Sequence, residues 1–154
     1  MNYWLLKTEP NMFSIHDLKA AGVEPWDGIR NYQARNFIRD EMKIGDQVFI
    51  YHSRIEPVGI AGRGEIVSEA YPDPSQFDTG SPYFDAKSNP ENPRWLMVDI
   101  QYRAHFQRVI TLRELKSLPQ LSEMRVVQKG SRLSVQPVTR QEWQFICRLS
   151  ETSP

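Results

Sequence analysis

A chain of 154 residues with one cysteine and three histidines is long enough to bury a core without a disulfide or a structural metal. Its nineteen basic and nineteen acidic side chains cancel, which excludes a broad electrostatic grip on duplex nucleic acid and leaves room only for a local basic patch. No apolar run approaches a membrane span, the start MNYWLLKTEP lacks a basic n-region, and no repeat or low-complexity tract interrupts the chain. These features lead us to expect a soluble, cytoplasmic protein with one domain over residues 1–150 and a frayed tail over 151–154.

Asn2 to Lys7 reads as a strand with Tyr3, Trp4, Leu5 and Leu6 apolar on both faces, which predicts a central place in a sheet. It ends at Lys7-Thr8-Glu9-Pro10, where a rigid strand either holds a charged pair at a pocket rim or returns the chain to water. Ser14-Ile15-His16-Asp17 has the form of a capping box and opens a helix through Leu18 and Ala21 that Gly22 ends. The turn Asp27-Gly28 leads to a second helix, with Ala34, Phe37, Ile38 and Met42 as its apolar stripe. Just ahead of that helix, Trp26, Arg30, Asn31 and Tyr32 gather an indole, a guanidinium, an amide and a phenol. The unpaired N–H groups of a helix start suit an anion there, and Arg35 and Arg39 add charge. Taken singly, Trp26 fits a core and the arginines fit a solvated face equally well.

The next strand, Gln47 to Ser53, is again apolar on both faces and ends in Tyr51, His52 and Ser53. Neighbouring strand residues point to opposite faces, so His52 and Ser53 do not make a nucleophile and base pair. Val58 to Tyr71 carries Gly59, Gly62 and Gly64 in the order G-x-x-G-x-G and continues as strand, which predicts strong curvature rather than a phosphate loop. Pro72 to Pro93, with five of the eleven prolines, reads as one long surface excursion with a helical turn near Ser75 to Asp78. Trp95 to Gln107 alternates, Leu96, Val98, Ile100, Tyr102, Ala104 and Phe106 against polar partners, and is long enough to bend around a barrel. Thr111-Leu112-Arg113-Glu114 caps a short helix that stops before Pro119. Met124 to Gly130 is a strand or an irregular piece. In Ser131 to Val138, Leu133, Val135 and Pro137 alternate with Arg132, Ser134 and Gln136, a polar face that is either solvated or the lining of a cleft. Thr139-Arg140-Gln141-Glu142 then caps a closing helix that packs Trp143, Ile146 and Cys147 inward.

Three scattered histidines and one cysteine lack the spacing of a metal site, and no cofactor motif, nucleophile elbow or H-E-x-x-H is present. A pair of carboxylates drawn from Glu9, Asp27 and Asp46 remains open as an acid and base, though no spacing singles it out. Aromatic rings, amides and arginines near strand and helix ends are the groups that take hold of an unpaired base.

Tyr3 to Pro10, Trp26 to Asn36, Gly45-Asp46 with Tyr51-His52-Ser53, and Arg132 to Val138 follow in an order that strongly resembles the EVE domain family, from Asn2 to about Leu149. The resemblance implies an α+β, PUA-like fold, a curved or barrel-like mixed β-sheet flanked by short helices, related to YTH and ASCH domains. It implies a non-catalytic domain that binds nucleic acid, DNA or RNA, through a modified base, with modified cytosine in DNA as the suggested ligand of relatives. From the residues alone, no metal and no cofactor is expected. Matched motif by motif, Lys7, Thr8 and Glu9 would edge the pocket, Trp26 would be a stacking wall, and Arg30 with Asn31 would meet ligand at the helix start. Tyr51, His52 and Ser53 would add lining, and Arg132, Ser134 and Gln136 would approach from the last strand. Trp26, Asn31 and Ser53 are the expected contacts to the base, and Lys7, Arg30 and Arg132 those to phosphate. The kinship with ASCH domains permits an enzyme acting on a small polar molecule or modified nucleoside, with Glu9 or His52 as acid or base beside Lys7. A third reading is an adaptor that meets a protein through the Pro72 to Pro93 loop.

Overall fold

The computed structural model describes residues 1–151. Eight strands and four helices follow in the order β1 (Tyr3–Thr8), α1 (Ile15–Ala21), β2 (Val23–Pro25), α2 (Tyr32–Asp40), β3 (Gln47–His52), β4 (Gly59–Ile66), β5 (Tyr71–Pro72), β6 (Leu96–Met97), β7 (Asp99–Thr111), α3 (Leu112–Ser117), β8 (Val135–Val138) and α4 (Arg140–Glu151). Six strands form one curled sheet in the order β2-β7-β4-β3-β1-β8, and β5 pairs with β6 apart from it. The fold is α+β and PUA-like: a mixed, half-barrel sheet with short helices on its faces.

Strands apolar on both faces belong between two cores, and β1 and β3 do so. Trp4, Leu6, Val48 and Ile50 point to one face, where Ile15 and Leu18 of α1 and Ala34 and Ile38 of α2 cover them. Leu5, Phe49 and Tyr51 point to the other, against Leu115 of α3 and Trp143 and Ile146 of α4, with the Phe49 and Trp143 rings stacked at 3.9 Å. Each such fully buried side chain stabilises the fold by about 1.5–3 kcal/mol before entropy is counted. β1 and β3 run parallel, so Lys7 lies beside Tyr51 and Thr8 beside His52, and both strands end at one edge of the sheet. β8 pairs antiparallel on the other side of β1, and the Lys7 amide donates to the Ser134 carbonyl. Three chain segments, 7–9, 52–54 and 131–134, therefore meet at one place.

The glycines of β4 mark close approaches. A Cβ on Gly62 would stand 2.5 Å from the Ala104 carbonyl oxygen, and one on Gly64 would stand 2.7 Å from that of Gln101. Register shifts between β4 and β7 fall at these glycines and bend the long strand. This corrects the simple alternation expected for Trp95 to Gln107. Tyr102 packs into the first core while Phe106 packs into the second, because the bulges turn the strand over between them. The strand also breaks at Val98 and runs on to Thr111.

Two other segments differ from expectation. Only Val135–Val138 of the last alternating stretch is strand, while residues 125–127 are a 3₁₀ turn, the irregular one of the two alternatives open for Met124 to Gly130. The loop over 72–93 is more than a surface excursion, since Asp73 and Gln76 within it are wholly buried. The Gln76 amide donates to the carbonyls of Asp73 and Trp95 and accepts from the Trp95 amide and the Ser88 hydroxyl. That set satisfies loop backbone which would otherwise be buried without partners. The helical turn expected near Ser75 to Asp78 is present as a 3₁₀ turn at Pro74–Phe77. Glu151, expected in a frayed tail, ends α4, and residues 152–154 lie outside the described residues. Among the described residues no helix is long and apolar enough to cross a membrane.

Candidate nucleic-acid interface

Where the three segments meet, the surface opens into a cleft of about 760 Å³. Seven of the residues expected at a site border it: Lys7, Thr8, Glu9, Trp26, Ser53, Arg132 and Ser134. The parallel ends of β1 and β3 set the first three beside Ser53, whose amide donates to the Thr8 carbonyl at 2.9 Å. The Lys7 ammonium donates to the Ser131 carbonyl at 3.2 Å and lies 5.7 Å from the Tyr51 ring centre. Burial pushes the Lys7 pKa below its usual value. Thr8 donates its hydroxyl proton to the Phe13 carbonyl at 2.7 Å, leaving its oxygen lone pairs toward other partners. Arg54, with its backbone in the left-handed region at φ 69°, stands 3.8 Å from Glu9, an exposed and loose pair that leaves the guanidinium open.

The facing wall is acidic and aromatic: Glu24, Asp27, Gly28, Ile29 and Tyr83. Burial raises the pKa of Asp27, and the negative charge of Asp73 adds to the rise. Burial raises Glu24 as well, with Asp27 as the second cause. One wall thus carries cations and hydroxyls beside Glu9, and the other carries two carboxyls whose pKa values burial raises. Phe13 and Trp26 also line the cleft, edge to face at 5.9 Å, and Trp26 is only 9 % exposed.

Five expected residues lie elsewhere. Arg30 is consumed inside the protein. Its Nη1 donates to the Ile29 carbonyl and to Asp73, its Nη2 to the Ser75 hydroxyl and the Tyr83 carbonyl, and its Nε again to Tyr83. Asp73 is fully buried, which alone would raise its pKa. Donors from Ser75, the Gly28 amide and Arg30 outweigh that and hold it below the usual value. Asn31 is the N-cap of α2, its side-chain oxygen accepting from the Ala34 amide at 3.0 Å. Tyr51 points into the second core. Its pKa is pushed up to about 12 by burial and by the charge of Glu56. The Gln136 amide folds back on Ser131 and the Leu133 carbonyl, and strand pairing begins only at Val135, so the expected alternation does not reach Arg132. His52 turns away from Ser53, as neighbours on a strand must, and its Nε2 accepts from the Ile15 amide.

His52 borders a second cleft of about 580 Å³ that also takes in His16 and His105. Glu9 and His52, the alternative acid or base, therefore face different clefts. Asp46 sits at the opposite end of β1, accepting from the Asn2 and Lys43 amides and the Trp4 indole, so it does not join Glu9 and Asp27. Among the described residues no group of three or more His, Cys, Asp or Glu is placed to hold a metal ion. Sequence reasoning missed Tyr83 and Glu24 as lining. Glu24 lies in a three-residue strand with no pattern, and the place of Tyr83 depends on a loop fixed by Arg30 and Asp73.

A curled sheet with short helices on its faces and a cleft at its strand ends defines the class, a small PUA-like domain. The model of the EVE domain matches residues 2–149, and the chain belongs to the EVE domain family. Mouse thymocyte nuclear protein 1 is 45 % identical over 172 residues, spanning 99 % of this chain and 75 % of that protein. A crystal structure of a Pseudomonas syringae protein, 51 % identical, superposes with a TM-score of 0.93 over 96 % of this chain and 99 % of its own. Human THYN1, solved in complex with DNA containing 5-methylcytosine, is 43 % identical and superposes with a TM-score of 0.93 over the whole of both chains. An ASCH protein of Zymomonas mobilis, 12 % identical with a TM-score of 0.55, shares the fold alone.

Proposed function

We propose that this protein binds DNA carrying a modified cytosine, draws the base out of the stack into the cleft beside Lys7 and Asp27, and releases it unchanged. The likeness to human THYN1 in its complex with 5-methylcytosine-containing DNA, over the full length of both chains, carries this reading. The lining suits the ligand. A cytosine presents an amino donor on its pairing edge, and the Asp27 and Glu24 carboxyls are acceptors on one wall. Lys7, Ser53 and Ser134 on the other wall meet its acceptors, while Met12, Phe13, Ile29 and the covered Trp26 offer an apolar bed to a methyl group. Arg132 and Arg54 at the rim are free for the flanking phosphates, with Glu9 restraining Arg54. Arg30 and Asn31 serve from beneath, by holding the wall and the helix start.

Extracting a base costs a few kcal/mol, so a single strand should bind more tightly than a duplex of the same sequence. Fluorescence anisotropy with oligonucleotides that differ only in one 5-methyl group tests the reading, in duplex and single-stranded form. Tighter binding of the methylated strand, with the nucleoside recovered intact by mass spectrometry, is the expected result. Equal affinity for cytosine and 5-methylcytosine overturns it. A ribose version of the strand decides whether RNA is also taken, since the 2′-hydroxyl is the only difference offered to the cleft.

A further inference from the structure

Three aromatic rings border the cleft among the described residues, and they are not equivalent. Trp26 is 9 % exposed and turned edge to face against Phe13, so little of its face is left to a ligand. Tyr83 is 38 % exposed. Its ring lies against Gly28, where an added Cβ would stand 2.7 Å from Cζ and 2.9 and 3.0 Å from the two Cε atoms. Those near-equal separations put the flat of the ring, not its rim, over Gly28. A glycine is needed there on two counts, the close approach and a φ of 81°. Arg30 fixes the same residue from behind, with Nε and Nη2 both donating to the Tyr83 carbonyl at 3.0 and 2.8 Å and its guanidinium 5.5 Å from the ring centre. The Tyr83 amide is held in turn by the Ser81 hydroxyl at 3.0 Å. The loop, held at the Tyr83 main chain, therefore delivers one part-exposed phenol ring, backed by Gly28, to the lining of the cleft that also holds Lys7 and Ser53.

We infer that Tyr83 is the stacking residue of the cleft, the surface against which the captured pyrimidine lies, and that Gly28, Arg30 and Asp73 form its mount. This rests on the reading that the cleft takes a modified cytosine. A fixed ring is suited to the task because little side-chain freedom is lost when the base arrives.

The test uses the whole protein and three single-stranded probes of one sequence, with a 5-methylcytosine, an unmodified cytosine or an abasic site at one place. Tyr83→Ala should weaken binding of the methylated probe about 5- to 150-fold, the range for one base–aromatic stack. Tyr83→Phe should retain wild-type affinity. The abasic probe keeps every phosphate but has no ring to stack, so wild type and Tyr83→Ala should bind it alike. Because the loop is held through the Tyr83 carbonyl, the thermal midpoint of Tyr83→Ala should stay at the wild-type value. Equal affinity of wild type and Tyr83→Ala for the methylated probe overturns the inference and leaves the reading of the cleft standing. An equal loss on the abasic probe also overturns it, by assigning the effect to the loop rather than to stacking. A wild-type protein that does not prefer the methylated strand over the unmodified one overturns the reading and the inference together.

Discussion

Arg30 and His52 illustrate how a side chain of the right chemistry in the right motif ends up doing another job. The guanidinium of Arg30 makes five hydrogen bonds to four acceptors inside the protein, and its charge answers the buried Asp73, so none is left for a phosphate. His52 uses its Nε2 as an acceptor for the Ile15 amide, which fixes the ring as the neutral tautomer protonated at Nδ1. Burial pushes its pKa below the ordinary value, the nearby His16 pushes the same way, and Asp17 pulls back. The sign of the consequence follows. The unfolded chain takes up the proton near the ordinary histidine pKa of about 6.5, whereas the folded chain does so only at lower pH. Between those values the unfolded state holds more protons, so stability is full above about pH 6.5 and is lost as pH falls toward the folded value. Melting temperature measured from about pH 7 to about pH 5 should therefore fall more steeply for the wild type than for His52→Gln. Parallel profiles would assign the titration to another group.

At the scale of elements, capping was the most legible signal. Ser14 with Asp17 and Thr139 with Glu142 form complete, reciprocal capping boxes at α1 and α4, where the sequence pattern placed them. The third pattern is half true. Thr111 caps α3 through the Glu114 amide, but the Glu114 carboxylate turns to Arg108, with both oxygens engaged at 2.6 and 3.0 Å. A local motif cannot reveal that a charged partner on the preceding strand will win the carboxylate. The glycines of β4 correctly announced curvature, but where β7 turns over depends on which carbonyl of that strand each glycine admits. Gly62→Ala tests this directly, since its Cβ would meet the Ala104 carbonyl and, at 2.8 Å, the Ile15 side chain. Urea unfolding should register a loss of about 1–3 kcal/mol, the cost of overpacking a filled site. An unchanged midpoint would mean that β4 and β7 part more easily than their register suggests.

Over the whole molecule, net neutrality and a local cluster of cations divide the work. Lys7, Arg54 and Arg132 are the basic groups of the cleft, so few counterions can be displaced on binding. With about three phosphate contacts on a single strand, the slope of log K against log salt should be near −2, given about −0.7 per contact. Anisotropy titrations over a range of salt concentrations measure it, and a slope several times steeper would point to a second basic face. The assembly of the cleft from segments 7–9, 52–54 and 131–134 was legible in outline, because strands apolar on both faces had to be central and their polar ends had to surface together. The facing wall was not legible. It comes from a loop whose path is set by two buried polar residues, Asp73 and Gln76, and burial of that kind has no sequence period. Arg30 grips that loop through a main-chain oxygen, so the rim keeps its shape whichever side chain position 83 bears. Changing one codon there would enlarge, trim or remove the ring without unseating its support, which makes the choice of base separable from the stability of the domain and open to directed adjustment.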